Sequence, residues 1–130
     1  MSQAPKAPVV NPEDVAVAFL TLASSGNVRE AYNAYAAPGF RHYHPYFRGD
    51  AASLMAGMAE NARANPNKVL AVQRVLRDGE TVAVHHIKQH PADRGRAAVH
   101  ILRFEGGRIA ELWDVGQAVP ETSPNDNGMF

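Results

Sequence analysis

The chain has 130 residues, 45% of them hydrophobic and 20% charged, with thirteen basic and thirteen acidic side chains and no cysteine. That length supports one domain with its own core, the balanced charge offers no bulk attraction for nucleic acid or an anionic membrane, and the lack of cysteine excludes disulfides, thiol catalysis and Cys-ligated zinc. No stretch reaches the length of a membrane span and the start, MSQAPKAPVVNPED, lacks a signal peptide's apolar run, so a cytoplasmic location is expected.

Residues 1–10 hold two prolines and little periodic pattern, as in a loose arm. Asn11-Pro12-Glu13-Asp14 is a helix start: Asn as N-cap, Pro at the first helical position and two acids at the positive end of the dipole. The helix carries Val15, Phe19 and Leu22 on one side and stops near Ser24-Ser25-Gly26. Asn27 opens a second, shorter helix with Val28, Ala31, Tyr32 and Tyr35 at helical spacing, ending before Pro38-Gly39. The segment FRHYHPYFRG follows. With Phe40 to His44 as a short strand, Phe40, His42 and His44 share a face and Tyr43 takes the other. Asp50 caps a third helix whose Leu54, Met55, Met58 and Ala62 form an apolar stripe.

From Lys68 onward the pattern is extended. Asp78-Gly79 signals a hairpin of type I′, and Glu105-Gly106-Gly107-Arg108 a second one. Between and beyond them, Val82, Val84, His86 and Lys88 share a strand face, as do His100, Leu102 and Phe104. In the last strand Leu112 and Asp114 fall on the face opposite Trp113, unless a bulge changes the phase. Helices first and an antiparallel meander second predict an α+β fold: one domain over 1–130, helices covering one face of a strongly curved sheet, and a polar tail over 120–130. A cupin-type double sheet is the competing architecture, since His-Tyr-His is similar to a metal-binding strand, but three helical patterns precede residue 66.

Two imidazoles and a carboxylate on the inner face of one sheet would give a cavity titratable walls. His100 interrupts an apolar strand, and a buried imidazole must have hydrogen-bond partners. A His beside an Asp makes a general base held in one tautomer. A satisfied core histidine, and an Asp114 ion pair with Arg74, Arg103 or Arg108, are the bland alternatives. His42 and His44 completed by His86 or His100 and Asp114 would make a metal site, but no spacing matches a known metal motif. His85 is read as exposed or at a subunit contact, and His90 as a solvated loop residue.

The segments Phe40 to Gly49, RVLRDGETVAVHH and HILRFEGGRIAELWDVGQAVPETSPNDNGMF resemble the SnoaL-like polyketide cyclase family, within the nuclear-transport-factor-2-like superfamily. The resemblance covers nearly all of the chain after residue 12 and is most specific in RFEGGRIAELWD. It implies a cone-shaped α+β barrel with a deep apolar pocket, usually a homodimer packed through the sheet, and acid-base chemistry by pocket side chains with no metal and no organic cofactor. Many proteins of this fold have no known activity, and several are binding or accessory domains. Departures from the family pattern are Tyr43 and His44 at its His and Asn places, His100 at an Asp place, and Leu112-Trp113-Asp114 where relatives have His-Trp-Asp.

The expected function is therefore aldol cyclisation, isomerisation or hydration of a small apolar carbonyl compound. His100 is assigned as general base, Asp114 as its orienting partner and His86 as the stabiliser of an enolate-like oxygen. His42, Tyr43, His44, Tyr46, Phe47, Phe19, Met58, Leu102 and Trp113 are assigned to the substrate. A non-catalytic protein holding a small apolar ligand is the alternative. No nucleic acid or membrane partner is expected.

Overall fold

The computed structural model describes residues 11–89 and 94–130, so the expectations for the N-terminal arm and for His90 lie outside the described residues. The Asn11 side chain accepts a hydrogen bond from the Asp14 amide at 2.8 Å, and with Pro12 in the first turn it starts α1, Pro12–Ser24. Helix α2, Val28–Tyr35, follows without a side-chain cap from Asn27. Asp50 caps α3, Ala51–Ala64, by accepting from the Ser53 amide at 2.8 Å.

Five strands follow the order β1-β5-β4-β3-β2: β1 Ala36–His42, β2 Val69–Asp78, β3 Thr81–Gln89, β4 Arg96–Glu105 and β5 Arg108–Ala118. The last four form the antiparallel meander read from the sequence, and β1 pairs parallel to β5. Strand β1 differs from the expected Phe40–His44. It leaves α2 directly and passes through Pro38 and Gly39, where its register with β5 shifts. A proline survives there because β1 is an edge strand, and Gly39 takes the positive φ (76°) of the irregular stretch.

The two tight hairpins have different turn chemistry. Gly106 and Gly107 both have positive φ, as a type I′ loop requires. The first loop is Gly79-Glu80, between paired Asp78 and Thr81, and only Gly79 has positive φ, so it has the sign pattern of type II′ rather than the expected I′.

One face of the sheet carries the helices. Phe19 and Leu20 of α1, Tyr32 of α2 and Leu54 of α3 cluster with Val82, Val84, Leu102, Phe104, Ile109 and Leu112. At its centre the Tyr32 ring meets Phe19 and Phe40 edge-on, with centroids 5.1 and 5.2 Å away. No helix among the described residues is long and apolar enough to cross a membrane. Phe19→Ala should cost about 3–5 kcal/mol in urea unfolding, the usual range for emptying a buried aromatic site. A loss below about 1 kcal/mol would mean that the surrounding side chains collapse into the space.

Candidate active site

Three strands bring the titratable groups together. His100 lies opposite Val84 on β3 and opposite Asp114 on β5, and His86 is two residues along from Val84, so all three side chains share the helix-facing side. His86 Nε2 and His100 Nδ1 are 2.5 Å apart, with the ring planes 9° apart. Face-to-face rings cannot bring two atoms so close; the imidazoles lie edge to edge in nearly one plane, joined by an N–H···N bond. His100 Nε2 is 3.5 Å from Asp114 Oδ2, and His44 Nε2 approaches the same oxygen at 3.4 Å.

The partners assign the protons. Asp114 can only accept, so a neutral His100 carries its proton on Nε2 and accepts on Nδ1 from His86 Nε2–H. His86 Nδ1 is then a bare acceptor, and it is buried without a hydrogen-bond partner. His44 Nδ1 accepts from the Tyr46 amide at 3.3 Å, which leaves Nε2–H for Asp114. Asp114 Oδ1 is likewise buried and unpaired.

Burial would raise the Asp114 carboxyl, but its hydrogen bond to His100, the pull of the His100 and His44 N–H groups and the Lys88 charge outweigh this and hold it well below the usual carboxylate range. Burial drives His86 down to about 3, helped by His100 and Lys88. His100 and His44 are lowered by burial as well, against the opposing pull of Asp114. The resting site is an ionised carboxylate among neutral imidazoles.

Asp114, His100 and His44 border a cavity of about 440 Å³ between the sheet and helices α1 and α3. Leu20, Ala23, Leu54 and Met58 make its apolar wall, and Tyr46 and Phe47 stand over it from the loop before α3. The Phe47 ring fits because residue 57 is glycine: a Cβ there would fall 2.5 Å from the ring. Lys68, Lys88 and Arg96 line the remaining side.

Of the residues assigned from sequence, the structure brings His44, Tyr46, Phe47, Met58, His100 and Asp114 to the cavity wall. His86 is behind His100, fully buried, and cannot touch an enolate oxygen. His42 is buried, with Nε2 turned to the Arg48 carbonyl and Nδ1 accepting from the His44 amide. Phe19 and Leu102 belong to the hydrophobic core. Tyr43 and Trp113 are on the outer face of the sheet, their rings stacked 4.8 Å apart, and the Tyr43 hydroxyl donates to Glu111. A bulge does occur in β5, where Ala110 is the extra residue between paired Glu111 and Ile109, but it lies before Leu112 and leaves Trp113 outside. Lys68, Lys88 and Arg96 were not assigned from sequence, although Lys88 shares the phase of His86. Among the described residues no three His, Asp or Glu side chains converge as a metal-ligand set.

The SnoaL-like domain family matches residues 16–112, and the chain belongs to that family. Its fold is that of an NTF2-like protein of unknown function from Cytophaga hutchinsonii, at 16% identity and a TM-score of 0.67 over 83% of this chain and 91% of that one. It is also that of candidate polyketide cyclases from Acidithiobacillus ferrooxidans (19% identity, TM-score 0.70, 86% and 92% covered) and Sinorhizobium meliloti (17%, 0.65, 78% and 94%). No curated protein sequence matches the chain.

Because the folded pKa of His86 is depressed, its contribution to stability is complete above the unfolded value near 6.5 and is lost as pH falls towards about 3. Urea-unfolding free energy should therefore decline below about pH 6.5, by about 1.4 kcal/mol per pH unit for each histidine held neutral. His86→Gln should flatten that decline. A wild-type profile level between pH 7 and 5 would mean that the buried imidazoles protonate freely in the folded protein.

Proposed function

We propose that this SnoaL-like chain is an acid-base enzyme that works on a carbonyl compound with its own side chains and no cofactor, in the manner of an aldol cyclase, isomerase or hydratase. The observation that carries the reading is the ionised Asp114 in the cavity wall, with Oδ2 held by two imidazoles and Oδ1 left without a partner. The similarity of fold to candidate polyketide cyclases supports it.

In this reading the roles expected of the pair are exchanged. Both His100 nitrogens are engaged, so His100 has no free lone pair for a substrate proton. Asp114 is the base. It takes a proton from the carbon beside the carbonyl, the C–H electron pair moves into an enolate, and negative charge collects on the carbonyl oxygen. As Asp114 becomes neutral its hold on His44 weakens, and His44 Nε2–H turns to that oxygen. Return of the proton to another carbon gives isomerisation; attack of the enolate on a second carbonyl gives ring closure, and the proton on Asp114 passes to the alkoxide so formed. His100 and His86 are positioning residues that keep the carboxylate ionised and fixed.

Mass spectrometry of ketones incubated with the protein in D₂O tests proton transfer directly. Deuterium should enter beside the carbonyl, and Asp114→Asn should slow this by about 10²–10⁴. His100→Gln should instead shift the pH profile of exchange. Exchange equal to buffer alone, with ketones bound, would favour the non-catalytic binding protein.

The outer face of the sheet supports a further part of this proposal, pairing of two copies. Ile101 and Trp113 lie opposite each other there, beside the paired Val99 and Val115, and Val115 is 60% exposed. Val115→Lys should convert a sedimenting dimer to monomer, while a wild-type monomer at 100 μM (about the upper end of assay concentrations) would end that idea.

A further inference from the structure

Lys88 and Arg96 are directly opposed across β3 and β4, on the face that looks into the cavity. Like charges in that position destabilise an antiparallel pair. Lys68 joins them on the wall, where burial and the Lys88 charge lower it to about 8. Burial lowers Lys88 as well. Asp114 attracts Lys88 at a distance, but among the described residues neither the Lys88 nor the Arg96 side chain has a hydrogen-bond or salt-bridge partner, and the Lys68 side chain donates only to the neutral Asn61 amide. Among the described residues the one carboxylate bordering the cavity is Asp114, whose Oδ2 already lies between His44 and His100. Arg96 reaches its place across Gly116, where a Cβ would fall 2.9 Å from Arg96 Nε. Among the described residues bordering the cavity, three cations face one committed carboxylate, an excess of positive charge.

We infer that the ligand of this cavity carries a carboxylate, which sits between Lys88 and Arg96 with Lys68 beside it, while its apolar body lies against Leu20, Leu54 and Met58. The inference rests on the cavity being the ligand site, and with the acid-base reading it makes the substrate an oxo acid. A planar guanidinium suits the two oxygens of a carboxylate, and the bound anion removes the repulsion built into the strand pair.

Isothermal titration with 3-phenylpropanoate and its neutral isostere 3-phenylpropanamide tests it. The acid should bind at least tenfold more tightly than the amide, and the preference should shrink severalfold in Lys88→Met and again in Arg96→Gln. Lys88→Met should also keep or raise the melting temperature, since it relieves the opposed charges. An acid no tighter than the amide, neither probe held, or a preference unchanged in both variants overturns the inference. The two readings fail separately: ketone exchange without carboxylate preference leaves Asp114 as base and removes the anion site, and carboxylate preference without exchange does the reverse.

Discussion

A carboxylate beside a hydrophobic core is stable only if something holds it, and the arrangement around Asp114 follows from that need. An ionised side chain there, without partners, would cost several kcal/mol in lost hydration. Two imidazoles supply the partners, and each has its proton direction set by a further group: His100 by His86, and His44 by the Tyr46 amide. The chain of donors needs β3, β4 and β5 side by side in one register, because a slip of one residue would turn His86, His100 or Asp114 outward. The loop before α3 must also stay close to the sheet for His44 to reach its oxygen. Sheet register and proton position are thus one constraint.

The same low-dielectric setting that makes Asp114 expensive makes it useful. A depressed carboxylate is a weak base in the open cavity, but a ligand that displaces water strengthens the burial already acting against its charge. The resting protein keeps the carboxylate ionised. Displacement of water by a ligand would loosen that hold on its charge, as the proposed role of base requires.

Much of the fold was legible because strand phase and turn residues are local signals. Val82, Val84, His86, His100, Leu102 and Phe104 share the inner face as their alternation predicts, and the Asn11 and Asp50 caps mark true helix starts. What could not be read depends on partners distant in sequence. Alternation puts His42 and Tyr43 on opposite faces, but no local pattern records the parallel pairing of β1 with β5 or the contact of Tyr43 with Trp113 on the outside. Phe19 sits on the predicted apolar stripe, but the stripe does not say whether a ring fills core or borders a cavity. Nor does charge alone place Lys88 opposite Arg96; that requires the register. The role of His100 turned on which of its nitrogens were free, a matter of a few ångströms that residue identity does not contain.

Gly57 has a consequence for how this protein can change. A glycine in a helix interior costs about 1 kcal/mol relative to alanine, so propensity alone marks Gly57→Ala as an improvement. The Phe47 ring occupies the volume such a methyl group would need. A selection for heat resistance would meet this position as a conflict, in which a stiffer helix comes only with a displaced aromatic cover and a wider mouth. Residue 57 is therefore a lever by which a lineage, or an engineer, could trade robustness for access by bulkier compounds without touching a single charged group.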